Sequence, residues 1–154
     1  MPDAATLDRL RRADRVSIAR LAYDTHIATD TLRVSETWAH GYRAIGWASL
    51  DAAAVGEVIR LLAEPSCWRG PHDVGWELSP AAPSHVAIRF HERGEVLEVL
   101  LFLDWQCIEA WGSRACLGRG QCGVTRDLLA WVKKALPNDP DVQSMQNLGP
   151  ESEE

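Results

Sequence analysis

Three glycines, Gly118, Gly120 and Gly123, spell GxGxxG between a stretch of strand character and one of helix character. That is the local setting of a dinucleotide-binding turn, in which free N–H groups at a helix start cradle phosphate. Arg114, Arg119 and Arg126 surround the glycines and would supply guanidinium groups to the same anion. Cys122 lies just before the helix, a setting that can lower a thiol pKa, and a Cys/His enzyme would further need a base such as His85 or His91, which nothing in the sequence places beside it. The wider setting does not favour a nicotinamide site: no second parallel strand follows the helix, and no acid sits on one to hold a ribose. What these residues support is a small anion- or nucleotide-binding domain, or a Cys-based enzyme, centred on Gly120, Cys122 and the three arginines.

Asp24, His26, Asp30 and His40 are metal-ligand types in one polar stretch, but a DxH spacing is common and a surface loop is the simpler expectation. No metal and no cofactor is expected. Glu98 and Glu109 fall on neighbouring strands, as acid/base work requires, yet Arg89 is expected to neutralise Glu98. The stronger anomaly is seven tryptophans against two Phe and two Tyr. Pattern puts Trp131 and Trp47 in the core, Trp105 in a hairpin turn, Trp111 on the sheet face away from the core, and Trp68 and Trp76 in a long loop. Such rings either pack a loop over the open sheet face or act as anchors for a partner, since large amphipathic rings dominate binding hot spots.

These residues need elements to hold them. Leu7 and Leu10 lie one turn apart in a short amphipathic helix over residues 4–14. Val16 and Ile18 alternate with Ser17 and Ala19 in a strand over 15–23, whose pattern Arg20 breaks. A second strand covers 41–50. Asp51 caps a helix with Val55, Val58, Ile59 and Leu62 at helical spacing, stopped by Pro65. Residues 65–83 hold four prolines and two glycines and read as a functional loop.

The clearest strand signal follows. With a turn at Arg93 and Gly94, Phe90 faces Leu97, Ile88 faces Val99 and Val86 faces Leu101 on one side, while Arg89 faces Glu98 on the other. A slip of one residue would break both sets. A third strand covers 107–112, a Gly-rich loop 113–123, and a final helix capped by Thr125 carries Leu128, Trp131, Val132 and Ala135 to Pro137. The order predicts an α+β two-layer domain over residues 1–136, a mainly antiparallel sheet of about five strands with three helices largely on one face. Residues 137–154 hold five acids and no base and are expected to form a peripheral acidic tail.

The chain has 154 residues, 46% apolar and 25% charged, the balance of a globular domain that buries a core without staples. Its 22 acids against 16 bases give a net charge of −6, which opposes nucleic acid and anionic membrane as partners. The first residues have no apolar run of signal-peptide length, and no stretch has the length of a membrane span. A cytoplasmic location is expected. Cys67, Cys107, Cys116 and Cys122 are spaced unlike a zinc site or a disulfide framework and are expected to be free thiols.

The run PSHVAIRFHERGEVLEVLLFLDWQCIEAW resembles the hairpin core of a family of small uncharacterised bacterial α+β proteins, whose members are also similar to the HGYRAIG and RVSIARL segments. Those motifs are packing patterns. The family's CFxC-like element at a strand end is replaced here by Phe102, Leu103, Asp104 and Trp105, so no metal or redox role carries over, and the resemblance implies a fold without an assigned activity.

The leading expectation is a non-catalytic, acidic, cytoplasmic protein that binds another protein, in the manner of inhibitors or immunity proteins that neutralise a toxin. Trp105, Trp111, Glu98, Glu109, Trp68 and Trp76 are the expected contact residues. A basic partner suits the charge, and a homodimer would use the same surface.

Overall fold

The structure, a computed structural model, describes residues 2–21, 35, 38–39, 42–68, 85–103, 107–112, 116–121 and 125–145. Its centre is the hairpin of β4 (His85–Glu92) and β5 (Glu95–Phe102). The turn residues Arg93 and Gly94 have φ of 54° and 77°, the left-handed geometry whose twist matches that of the flanking strands. Strict alternation then sets the register: Phe90 pairs with Leu97, Ile88 with Val99, Val86 with Leu101 and Arg89 with Glu98, as the sequence predicts.

Around this hairpin the sheet runs antiparallel in the order β3 (Tyr42–Ser49), β1 (Arg15–Leu21), β4, β5, β6 (Cys107–Trp111), β7 (Cys116–Gln121), and the two-residue β2 (Trp38–Ala39) extends it beyond β3. α1 (Ala4–Arg11), α2 (Ala52–Leu62) and α3 (Thr125–Ala135) pack on one face. Their buried stripes, Leu7 and Leu10, Val58, Ile59 and Leu62, and Leu128, Trp131 and Val132, meet Val16, Ile18, Val86, Ile88, Phe90, Leu97, Val99 and Leu101 from the strands. Asp3 and Asp51 cap α1 and α2, each accepting a 2.8 Å hydrogen bond from a first-turn amide. The Trp131 indole donates to the Ala54 carbonyl at 2.9 Å and ties α3 to α2. This is the two-layer α+β architecture, with more strands than the sequence suggested.

Three departures have physical causes. The expected loop over 113–123 contains β7, so Gly118 and Gly120 are strand residues. They are small because other chain segments press on them: a Cβ on Gly118 would lie 2.8 Å from Pro2, and one on Gly120 would lie 2.9 Å from the backbone of Trp68. The second departure is Trp68 itself. It ends a 3₁₀ turn, Pro65–Trp68, is 4% exposed, and donates to the Leu62 carbonyl at 2.7 Å. The third concerns the acidic tail. Residues 140–143 form a short helix, α4 (Pro140–Gln143), whose Val142 is fully buried against the core. Arg20, on the helix side of β1, donates to Asp139 at 2.8 Å and pairs with Asp141 at 3.2 Å.

Candidate functional site

The face of the sheet turned away from the three helices has a different chemistry. It carries a second cluster, Ala19, Leu21, Ala39, Ala44, Ala87, Leu100 and Phe102, with Tyr42, Trp47 and Trp111 packed against its edges. Beside that cluster a polar row crosses six strands in register: Ser49, Ser17, Arg89, Glu98, Trp111 and Cys116. Period-two alternation places them, because each is the outward neighbour of a core-facing residue.

A bulge completes the row. Ser17 faces Ser49, but Leu21 faces Ala44, so β3 holds one extra residue opposite Ala19. Gly46 supplies it with φ of 53°, a conformation L side chains rarely adopt. The extra residue reverses parity along β3, and Ala44, Trp47 and Ser49 thereby line the same cleft. Trp47, expected in the core, is instead half-buried on this far face.

Arg89 is fixed from two sides. Its Nε donates to Glu98, which is 0% exposed, and its guanidinium lies 4.1 Å from the centre of the Trp47 ring. On the next strand the Trp111 indole donates to Glu109 at 2.8 Å. Beyond the row, Arg15 is paired in register with His91, and its Nη2 lies 3.4 Å from both ring nitrogens. Burial, and then the charges of Arg15 and Arg89, hold His91 below the ordinary imidazole value, outweighing Asp14 and Glu98. Together Arg15, Ser17, Ala44, Gly46, Trp47, Ser49, Arg89 and His91 line a cleft of about 560 Å³.

Compared with family models, curated proteins and solved structures, the chain matches none. The site is therefore read from its own chemistry.

Of the expected contact residues, the structure brings Glu98, Glu109 and Trp111 together on this face. Only Trp111 among them reaches solvent appreciably; Glu98 and Glu109 are buried and act by positioning Arg89 and the Trp111 ring. Trp68 belongs to the helix-side core and is no contact residue. Trp76 and Trp105 lie outside the described residues, as do Arg114, Cys122, Gly123 and the Asp24, His26, Asp30 and His40 set. The alternative anion site loses its loop: Arg119 and buried Gly120 are in β7, and Arg126 is exposed on the first turn of α3. Among the described residues no three His, Cys, Asp or Glu side chains cluster to hold a metal.

Arg15, Ser17, Trp47, Ser49 and His91 were not singled out from sequence as a cleft. The signal for them was Gly46, a glycine inside an otherwise strand-forming run, which marks a bulge.

Proposed function

We propose that this is a non-catalytic binding protein that engages another protein through the far face of its sheet, in the manner of small inhibitor or immunity proteins. The supporting observation is that Trp47 and Trp111 are half-exposed there and each is held by a polar neighbour, Trp47 under Arg89 and Trp111 by Glu109. Rings fixed before binding lose little rotamer freedom on association, which is what an interface anchor requires.

Charge fits the same reading. The described residues balance acid against base, so the acidic excess of the chain lies in segments outside them. That excess would steer a basic partner toward a largely neutral framework. Among the described residues Cys67 and Cys116 form no disulfide, in keeping with a reducing, cytoplasmic compartment. No helix among the described residues is long and apolar enough to cross a membrane.

The test is affinity capture from the native cell with wild type, Trp111→Ala and Ser49→Arg. Ser49 is exposed at the cleft, so an arginine there obstructs the face without touching the core. A protein retained by wild type and lost with both variants, at unchanged melting temperature, supports the reading. Retention by both refutes it. Recovery of the chain itself as the lost species makes the partner a second copy.

A further inference from the structure

Several concavities lie among the described residues. One, between the α1–β1 turn and α2, is lined by Arg11, Asp14, Leu50, Val55 and Gly56 among others, and a second is lined by Arg20 and the Asp139 and Asp141 that it pairs with. A third is the far-face cleft, and its electrostatics are unbalanced in one sense.

Arg15 is exposed at the rim, and among the described residues it makes no ion pair; its only side-chain neighbour within hydrogen-bond range is His91. A guanidinium beside an imidazole is two potential cations in contact, an arrangement that an anion relieves. Ser17 and Ser49 stand directly opposite each other in the same cleft, and among the described residues neither hydroxyl makes a hydrogen bond. Arg89 lies behind them, paired with Glu98. The groups facing His91 are thus Arg15 and Asp14 from the β1 side, Arg89 on its own strand and Glu98 from β5, and the arginines outweigh the acids.

We propose that this cleft binds an oxyanion, a phosphate or carboxylate group, held by the Arg15 guanidinium, the His91 imidazole and the Ser17 and Ser49 hydroxyls. A guanidinium supplies paired donors matched to such a group, hydroxyls donate to its remaining lone pairs, and a protonated His91 would complete the set. The cleft is larger than one phosphate ion, within the range of small-molecule sites, so the oxyanion is read as one end of a ligand whose remainder lies along Trp47. Binding then strengthens as pH falls, because the anion stabilises the charged form of His91, which its arginine neighbours disfavour.

The inference does not depend on the protein-partner reading, and its test reads the cleft alone. The His91 ring resonance, assigned by its loss in His91→Gln, is followed by NMR during titration with inorganic phosphate and with phenyl phosphate. Saturable shifts are expected with both, together with a rise in the His91 pKa on binding and an affinity weakened about tenfold or more in Arg15→Ala and in Ser17→Ala/Ser49→Ala. Equal affinity for the two probes assigns a free anion, and tighter phenyl phosphate assigns an organic ester; either supports the site. An unmoved His91 resonance, or Arg15→Ala binding as wild type does, overturns it.

Discussion

Replacing Gly120 with alanine separates the two roles that a glycine-rich GxG can have. In a phosphate-binding turn the residue is small so that a ligand can approach, and alanine would weaken binding while leaving the fold intact. In this structure it is small because Trp68 crosses it: the added Cβ would lie 2.9 Å from the Cα and the carbonyl carbon of Trp68 and 3.1 Å from its oxygen. All three are backbone atoms, and Trp68 cannot retreat because its ring is buried and its indole is bonded to Leu62. Overpacking of that kind costs about 2–3 kcal/mol, which for a chain of this size lowers Tm by about 5–10 °C. Gly118→Ala is the parallel case. Its Cβ would meet the Pro2 ring and backbone nitrogen at 2.8 Å, and Pro2 is buried, so the substitution too should cost about 1–3 kcal/mol. Thermal and urea unfolding of both variants, followed by circular dichroism, should show both destabilised. A Gly120→Ala protein as stable as wild type would refute the packing argument and return the glycines to a binding role.

Other perturbations read other parts of the same framework. Glu98→Ala removes the buried carboxylate that Arg89 meets and should cost about 3–5 kcal/mol in chemical unfolding, most of it recovered in the Arg89→Met/Glu98→Leu double variant; a single-variant loss under about 1 kcal/mol would mean that the pair does not hold the far face. Gly56→Ala, in the interior of α2 with nothing within 4 Å of the added methyl, should raise stability by about 1 kcal/mol, and a lower Tm would contradict the helix placement. Asp139 is subject to burial, which raises its pKa, but the Arg20 hydrogen bond and the Val142 and Asp141 amides prevail and hold it below the ordinary aspartate range. A carboxylate depressed on folding stabilises above its unfolded pKa and loses that contribution as pH falls through the folded one. Wild type should therefore lose stability below about pH 4 more steeply than Asp139→Asn, and identical acid limbs would remove the α4 latch from the account.

The parts of this fold that were legible in the sequence are those where one constraint acts alone. Along β4 and β5 each position has a single job, apolar toward the helices or polar away from them, and the Arg-Gly turn fixes the count between them. Alternation, turn and the Arg89–Glu98 pair then agree on one register. Where two constraints meet, the pattern fails. β7 reads CLGRGQ, with few strand-forming residues, because Pro2 and Trp68 demand glycine at positions that pairing with β6 makes strand. β3 was legible as a strand, but the face of Trp47 was not, because Gly46 reverses its parity midway. Arg20 seemed to spoil β1, yet a charged residue on a core-facing position requires a partner, and the docked acids Asp139 and Asp141 provide it. The irregularity at Arg20 was thus the sign that part of the acidic tail returns to the sheet.

The composition of the far face supports its proposal as the binding surface. Arg89 and Glu98 occupy directly opposed positions in the middle of the sheet, with Ala87 and Leu100 beside them on the same face. Two apolar residues there would extend the neighbouring cluster and serve stability at least as well as a buried ion pair, whose desolvation largely offsets its attraction. What an apolar pair would not provide is a guanidinium held over the Trp47 ring, close to the Arg15, His91 and serine groups of the cleft. Polar chemistry retained where packing does not need it, on a face where Trp47 and Trp111 stay partly exposed, supports the proposed binding role. If that is so, the Arg89→Met/Glu98→Leu protein should fold well and bind poorly, and a double variant that binds as wild type does would show the pair to be only another way of filling the sheet.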